Sequence, residues 1–398
     1  MAGGFLGAPG LARMIAGVVR EYLARTRGAD APALGGADPA ALDFGDAGLA
    51  LDSIERVELA AEVGERFGIS DVGLEDLLLA RHTVGGWAAL VQRAWAAGAT
   101  HLAFRTSGST GTPTTCRHGL ATLAQEADAL AALFADRQRV VAAVPPHHIY
   151  GFLFTALLPD RLGVPVVDAE AAGPTGLAAL LRDGDLLVTF PLRWDLLVRH
   201  GARFPAGVVG TTSTGPCRAE TARAVRGAGL DRLVEVYGAS ETAGVGWREG
   251  PEAPYRLFPY WRPTGDATRR LVRTLPDGTD APPVALMDGA EWVDAERFRL
   301  AGRRDAAVQV AGVNVFPAAV AERLRAHPLV TDCRVRLQRP EEGRRLKAFV
   351  VPAAPVTAEA RADLDAWTRA HFPAPERPVA LAFGPSLPLS PAGKDADW

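Results

Sequence analysis

A run rich in hydroxyls and glycines follows the apolar residues 102–104. It consists of Thr106, Ser107, Gly108, Ser109, Thr110, Gly111, Thr112 and Pro113. Glycines permit the backbone angles and the close approach that let amide N–H groups and hydroxyls face phosphate oxygens. The run is not a Walker A loop, which needs a lysine, and it is not a GxSxG nucleophile turn. It predicts either a phosphate-binding loop or an ordinary polar surface turn.

A second turn with reactive side chains follows the apolar run 233–236. It consists of Tyr237, Gly238, Ala239, Ser240, Glu241 and Thr242. Parallel sheets bind ligands at the carboxyl ends of their strands, where this carboxylate would hold Mg²⁺ against nucleotide phosphates. The tyrosine ring would stack on a base. The alternative is an ordinary turn at a strand end.

Short apolar runs alternate with helical stretches after His101. These runs predict the strands, and the stretches predict the helices, that would position the two turns. Such runs occur at residues 140–144, 164–167, 186–190 and 233–236. They predict an α/β core with a mostly parallel sheet. Residues 251–283 are rich in proline and arginine and predict loops and edge strands. Beyond Gly302, alternating strand and helix patterns predict a compact α+β tail.

The first 97 residues predict an all-helical unit. Apolar residues between Leu11 and Leu23 fall on one helical stripe, and Gly28 is placed to end that helix. A second helix is predicted from Asp52 or Ser53 to Phe67, followed by shorter helices up to Trp95. Alanines and glycine at residues 96–99 suit a linker.

The composition excludes several classes of protein. The 398 residues carry 43 basic and 46 acidic side chains, a formal net charge of −3, without a block of like charge. This balance argues against nucleic acid and anionic lipid as partners. The three cysteines, Cys116, Cys217 and Cys333, lack the spacing of a disulfide framework or a zinc site. Because no signal peptide or span-length apolar run is evident, we expect a cytoplasmic protein without a membrane partner.

Five ordered motifs resemble those of the adenylate-forming superfamily, which includes acyl-CoA synthetases, aryl-acid ligases and adenylation domains. They are the two turns, PPHHIYGF at 145–152, the segment from GRRD at 302 to VNVFP at 317, and SPAGK at 390–394. The resemblance covers about residues 100–398. It implies an ATP-binding α/β adenylation core, truncated at its N-terminus, and a small mobile C-terminal lid.

The resemblance also implies roles for individual residues. The implied nucleotide-binding residues are Thr106, Ser107, Gly108, Ser109, Thr110, Gly111, Tyr237, Gly238, Ser240, Thr242, Asp288 and Arg303. Glu241 would hold Mg²⁺, Lys394 would bridge the substrate carboxylate and the α-phosphate, and Asp305 would be the hinge of the lid. Outside this context, Lys394 is an ordinary solvated side chain and Asp288 an ordinary turn aspartate.

The acyl pocket implied by the resemblance contains His148, Phe152 and Gly215. His148 is the position that closes over the acyl group in acyl- and aryl-CoA ligases, and it stands with Glu241 and Lys394 among the implied catalytic residues. The His–Ile–Tyr–Gly–Phe form favours a simple carboxylic acid over an amino acid. The substrate would be an aryl acid or a short acyl acid, and the resemblance gives a preference for a hydroxylated aryl acid. Two positions depart from the superfamily pattern: Thr114 replaces a usual lysine, and Met287 precedes Asp288 where Thr–Gly is usual.

The N-terminal helical unit resembles an acyl carrier protein over residues 10–96. The resemblance rests on Leu51, Asp52, Ser53 and Ile54 and on the acidic helix that follows. Ser53 would be modified with 4′-phosphopantetheine by a phosphopantetheinyl transferase, at a helix start whose dipole suits a phosphodiester. The alternative is that residues 52–55 form a helix capping box.

These resemblances predict domains at 1–97, 101–302 and 303–398, with ATP and Mg²⁺ used to activate a carboxylic acid as acyl-AMP. In the first hypothesis the acyl group passes to pantetheine on Ser53, with a downstream ketosynthase or acyltransferase as partner. In the second, the acceptor is CoA or a separate carrier. In the third, motivated by Thr114, the protein is a catalytically weak carrier or scaffold.

Overall fold

Short apolar runs after residue 100 form a nine-stranded mixed sheet in the computed structural model of the protein. The structure describes residues 4–28, 31, 38–106, 114–266, 269–286, 288–303, 307–339, 341–388 and 398. These residues divide into two units. The first takes its residues from Met1–Arg105, Thr115–Leu286 and Ala290–Arg299, and the second from Thr106–Thr114, Met287–Gly289 and Leu300–Trp398.

The N-terminal segment forms four helices, as its amphipathic pattern predicts. They are α1 (Ala8–Thr26), α2 (Ser53–Arg66), α3 (Asp76–Leu79) and α4 (Val84–Ala96). Gly28 follows α1 with a positive φ of 56°, the conformation in which glycine ends a helix without strain. The predicted capping box is present at α2: Asp52 accepts hydrogen bonds from the amides of Ile54 and Glu55, and Glu55 accepts one from the amide of Asp52.

The strands that follow form the large sheet and two separate strand pairs. They are β1 (His101–Thr106), β2 (Thr114–Gly119), β3 (Arg139–Ala142), β4 (Val166–Asp168), β5 (Asp185–Thr189), β6 (Val209–Thr212), β7 (Arg232–Ala239), β8 (Ala243–Glu249), β9 (Tyr255–Leu257), β10 (Trp261–Pro263), β11 (Leu271–Arg273), β12 (Asp288–Trp292) and β13 (Arg297–Arg303). The large sheet has the order β12–β13–β9–β8–β7–β6–β5–β3–β4, whereas β1–β2 and β10–β11 form separate pairs.

Five neighbouring strands of this sheet, β4, β3, β5, β6 and β7, are parallel. The helices of this part of the chain are α5 (Leu120–Leu133), α6 (Ile149–Phe152), α7 (Leu158–Leu162), α8 (Pro174–Leu180), α9 (Pro191–Arg199) and α10 (Ala219–Gly227), with a π-helical turn, Leu153–Leu157, between α6 and α7. Apolar side chains of β3, β5, α9 and α10 share one core, which includes Val141, Leu187 and Trp194. The parallel order brings the carboxyl ends of these strands to one edge of the sheet.

The second unit contains the α+β tail. Its elements are β14 (Val308–Val310), β15 (Val313–Val315), α11 (Pro317–Leu324), β16 (Val330–Leu337), β17 (Leu346–Pro352), α12 (Ala358–His371) and β18 (Pro378–Phe383). Ala311 and Gly312 join β14 to β15 with positive φ angles, as a tight hairpin turn requires. β16, β17 and β18 form a sheet, and Leu324 and Leu364 of the two helices lie in its core.

The N-terminal helices belong to the first unit together with the large sheet. Arg13 of α1 donates a hydrogen bond to the carbonyl oxygen of Thr155 at 3.3 Å, and the ring of Phe5 lies 6.4 Å from that of Phe152. Because these helices pack against the α/β core, the predicted independent carrier domain is not shown. Within the described ranges, no helix is long and apolar enough to cross a membrane.

Candidate functional site

The carboxyl edge of the parallel strands gathers three of the predicted site segments. His148 follows β3, Gly215 follows β6, and the turn with Glu241 lies at the end of β7. Two hydrogen bonds tie neighbouring strand ends together at this edge. Tyr150 donates its hydroxyl to the carbonyl oxygen of Thr189 at 3.0 Å, and Ser213 donates to that of Val236 at 2.8 Å. The runs at 140–144 and 233–236, which precede the segments of His148 and Glu241, form parallel strands, so the predicted parallel arrangement of these runs is confirmed.

The turn between β7 and β8 combines an exposed carboxylate with a buried hydroxyl. Glu241 is exposed, whereas Thr242 is buried and its hydroxyl donates to the carbonyl oxygen of Ala243 at 3.0 Å. Ala243 has a φ of 57°, and the register of the strand pair shifts between Tyr237 and Gly238. A bulge and a left-handed alanine re-aim the side chains of a turn at some cost in backbone strain.

His118 supports this turn from β2. Its Nε2 lies 2.6 Å from the carbonyl oxygen of Ser240, the residue before Glu241. Desolvation by burial lowers the pKa of His118, so near neutral pH the ring is uncharged, and it donates from Nε2 in the tautomer that this hydrogen bond requires. The spacing of motifs did not predict a role for His118, because its partner is 122 residues away.

Glu126 of α5 lies beneath the same turn. Its Oε1 accepts a hydrogen bond from the amide of Gly244 at 2.8 Å, and its Oε2 lies 3.8 Å from Nη1 of Arg273. Burial raises the pKa of Glu126 to about 7, although the charge of Arg273 and the Gly244 amide favour the ionised form. Glu126 and His118 were both missed in the sequence, and each holds the backbone beside Glu241.

Tyr237 stands at the start of the turn with a partly exposed ring. The ring packs against Tyr255 and Phe298, with centroid distances of 5.7 Å in both cases. These neighbours fix one side of the ring on the sheet. This arrangement is compatible with the predicted contact to adenine, which stays a prediction.

The motif after β3 contains two adjacent histidines, with ring planes inclined by 50°, that differ in their environments. His148 is exposed, whereas His147 is 7% exposed, and their ring centroids are 4.4 Å apart. Burial lowers the pKa of His147 far below its ordinary value, and desolvation by the surrounding protein also lowers that of His148. Both rings are therefore neutral near pH 7.

Phe152 does not line an open pocket. Its side chain is 0% exposed, and its ring packs against Phe104 at 5.5 Å and against Phe5 at 6.4 Å. The role of Phe152 in the acyl pocket stays a prediction. Phe152 lies one helical turn after His148 and is part of the aromatic core, because Phe5 of the N-terminal segment and Phe104 of β1 cover it.

The turn after β6 is strained and supported by a buried ion pair. Thr214 has a φ of 71°, which is rare for a β-branched residue, and Gly215 beside it is half-buried. Glu235 of β7 accepts a hydrogen bond from the amide of Cys217 at 3.1 Å and pairs with Arg248. Strain of this kind persists where surrounding contacts enforce it, often at ligand sites.

Several predicted residues belong to the second unit, to the N-terminal helices or to the part of the chain that the structure does not describe. Asp288 begins β12 and the backbone of Arg303 ends β13, both in the second unit, to which Thr106 also belongs. Ser53 is exposed at the first position of α2. The remaining predicted residues, Ser107, Gly108, Ser109, Thr110, Gly111, Asp305 and Lys394, lie outside the described residues.

Glu241 fits a particular kind of metal site. The described residues contain no cluster of three or more His, Cys, Asp or Glu side chains that could hold a metal ion. Mg²⁺ is often bound through one or two carboxylates together with substrate phosphates and water molecules. A single exposed carboxylate at a strand end suits this mode, in which the nucleotide supplies other ligands.

Comparisons with known proteins identify relatives of this chain. A family profile described as AMP-binding enzyme matches residues 89–269, and one described as AMP-binding enzyme C-terminal domain matches residues 319–394. The chain is 43% identical over 347 residues to a 4-coumarate–CoA ligase of Halorhodospira halophila, covering 86% of this chain and 87% of that protein. It is 39% identical over 362 residues to a 4-coumarate–CoA ligase of Rhodobacter capsulatus, covering 88% and 90%.

Solved structures share the fold at lower identity. An amide bond synthetase from Marinactinospora thermotolerans has a TM-score of 0.63 at 20% identity, covering 74% of this chain and 67% of that chain. The extent of the sequence matches shows common descent across most of the chain. The chain therefore belongs to the AMP-binding enzyme family, and the predicted enzyme class, an AMP-forming acid–thiol ligase, is confirmed.

Proposed function

We propose that the protein is an aryl-acid or acyl–CoA ligase that uses free CoA as the acyl acceptor. The observation that carries this proposal is the 43% identity to a protein named 4-coumarate–CoA ligase, with 87% of that protein covered. This name favours a hydroxylated aryl acid as substrate, in agreement with the small-acid form of the motif around His148.

The reaction has two half-steps that balance. An oxygen of the substrate carboxylate attacks the α-phosphorus of ATP, so that an acyl–AMP anhydride forms and pyrophosphate leaves. The sulfur of CoA then attacks the acyl carbon, the thiol gives up its proton, and AMP leaves as the thioester forms. Negative charge develops on oxygen in both steps, so positive charge and hydrogen-bond donors at the site lower the barrier.

The residues at the carboxyl edge have distinct tasks in this proposal. Glu241 would hold Mg²⁺, which when bound neutralises charge on the phosphate oxygens. His148, neutral and exposed, would close over the acid, and Tyr237 would lie against adenine. Lys394, from the resemblance, would bridge the acid and the α-phosphate, with Asp305 as the hinge that later withdraws it.

A second candidate is transfer to pantetheine on Ser53. Its support is the exposure of Ser53 at the first turn of α2, where a transferase would reach it. Against it stand the capping box, which explains residues 52–55 by itself, and the packing of the N-terminal helices on the core. Free CoA is therefore the preferred acceptor.

The test is acid-dependent ATP–pyrophosphate exchange with a panel of aryl and short acyl acids, followed by mass spectrometry of the thioester. We expect exchange with a hydroxylated aryl acid and an acyl-CoA product at equal rates in wild type and Ser53→Ala. Absence of exchange with every acid would support the weak-scaffold hypothesis raised by Thr114. An acyl adduct at Ser53, with no acyl-CoA, would overturn the choice of acceptor.

A further inference from the structure

A buried arginine connects the N-terminal helices to the histidine motif. Arg66, the last residue of α2, is only 3% exposed. Its Nη1 donates to the carbonyl oxygen of His147 at 3.4 Å. Its Nη2 lies 3.0 Å from Glu62 of α2 and 3.2 Å from Glu21 of α1. A buried guanidinium needs such partners, because an unpaired buried charge is strongly unfavourable.

The network continues toward the loop that follows β1. Glu62 is 13% exposed and also pairs with Arg25 at 2.8 Å and with Arg105 at 3.3 Å. Burial opposes its ionisation, but the Arg25 hydrogen bond and the charges of Arg66, Arg25 and Arg105 outweigh this and lower the pKa of Glu62. Arg105 is the penultimate residue of β1, which leads into the hydroxyl- and glycine-rich run. One carboxylate thus joins α1, α2 and β1.

The ring of His147 also lies close to the backbone of α1. A methyl group added at Gly17 would lie 2.9 Å from Nδ1 of His147 and 2.8 Å from Cγ of Pro146. Glycine is the residue type that permits this close approach inside a helix. His147 is therefore fixed at its carbonyl by Arg66 and at its ring by Gly17, and His148 is the next residue along the chain.

We propose that Arg66 is a positioning residue for the acyl acid: through the carbonyl of His147 it sets the location of the exposed His148 ring. The N-terminal helices thereby form part of the acid-binding machinery rather than an independent unit. The inference rests on the proposed function, since it assigns His148 to the acid.

The first readout does not depend on activity. We expect amide hydrogen exchange of residues 147–152 to speed up several-fold in Arg66→Met and less in Arg66→Lys, which keeps the charge but loses the planar fork. The matched control is Arg27→Met. Arg27 also joins α1 to α2 by bonding to Glu55 and the carbonyl of Leu49, but it does not touch the histidine motif.

The second readout is kinetic. In Arg66→Met we expect the KM for the acid to rise about 10- to 100-fold, the scale of a small misplacement of a substrate-contacting group, with the KM for ATP unchanged. Gly17→Ala should raise the same KM although alanine favours helix, whereas Gly176→Ala in α8, which meets no atom within 4 Å, should not. If Arg66→Met does not fold, the two glycine variants alone test whether the position of the histidine motif sets the KM for the acid.

Two results would overturn the inference. One is equal acceleration of hydrogen exchange in Arg27→Met and Arg66→Met, which would mean general loosening of the helix pair. The other is a KM for the acid that stays at the wild-type value in Arg66→Met and Gly17→Ala. The wild type could show no ATP–pyrophosphate exchange with any acid while the amide hydrogen exchange of the variants is as expected. In that case the proposed function fails, but the positioning of His147 by Arg66 stands.

Discussion

His118 Nε2 and the carbonyl oxygen of Ser240 are 2.6 Å apart, so a side chain of β2 holds the turn that presents Glu241. Gly244, on the other side of the same turn, is held by Glu126 of α5. The backbone on both sides of Glu241 is thus held by two elements that are remote in sequence. If Glu241 holds Mg²⁺ as proposed, preorganisation of this kind would keep its carboxylate in place before the ion binds.

We predict that His118→Phe weakens the use of MgATP. The phenyl ring fills the space but cannot donate to Ser240, and an acceptor left without its partner costs about 1–3 kcal/mol. The kcat/KM for MgATP in pyrophosphate exchange should fall about tenfold, since about 1.4 kcal/mol corresponds to a factor of ten. His200→Phe is the control, because His200 is exposed and its Nδ1 contacts only a carbonyl of its own helix, that of Leu196. An equal loss in both variants would contradict the prediction.

We predict that Glu241→Gln lowers the affinity for the metal. The variant keeps the shape of the side chain but removes the charge that hard cations prefer. The Mg²⁺ concentration for half-maximal exchange should rise about tenfold, on the scale seen when metal sites lose supporting groups. Glu249→Gln serves as control, because Glu249 pairs with Arg232 at the far end of β8. An unchanged Mg²⁺ dependence in Glu241→Gln would remove Glu241 from the metal site.

We predict a pH-dependent effect of Glu126→Gln on stability. The pKa of Glu126 is about 7 in the folded protein, against an ordinary value of 4.5, so the folded state binds the proton more tightly. Its contribution to folding is therefore complete below the unfolded pKa and is lost as the pH rises through 7. Glutamine loses nothing over this range. The free energy of unfolding of Glu126→Gln minus that of the wild type should therefore increase by about 3 kcal/mol between about pH 4.5 and pH 8.

Denaturant unfolding at several pH values measures this difference. Asp128→Asn provides a control on the same helix, because Asp128 is exposed and pairs with Arg161 at the surface. Its difference from the wild type should stay flat across the range. A flat difference for Glu126→Gln as well would show that burial does not hold the proton on Glu126.

We predict that Lys394→Ala separates the two half-reactions. The sequence contains two lysines, Lys347 and Lys394. If Lys394 bridges the acid and the α-phosphate, its loss should abolish pyrophosphate exchange but leave the conversion of added acyl-adenylate and CoA to thioester largely intact. Lys347→Ala is the control, because Lys347 pairs with Glu342 at 2.8 Å within the second unit. Equal loss of both half-reactions in Lys394→Ala would contradict the role.

Much of the fold was predictable because its signals are local. The stripe of α1, the capping box of α2 and the apolar runs of β3, β5 and β7 depend on residues within a few positions of one another. The parallel order follows from the intervening helices, and with it the common edge of His148, Gly215 and Glu241. The family could also be recognised, since its motifs are short segments in a set order.

The contacts that hold these segments were decided by the tertiary structure. Arg66 lies 81 residues from His147, Glu126 lies 118 residues from Gly244, and His118 lies 122 residues from Ser240. An amphipathic pattern predicts that a helix has an apolar face to bury, but it does not predict which surface covers that face. The N-terminal helices therefore resemble a carrier protein in sequence, although in the structure they pack against the α/β core. Phe152 is buried in that packing for the same reason. The burial of a side chain depends on which residues distant in sequence pack against it, and only the folded molecule decides this.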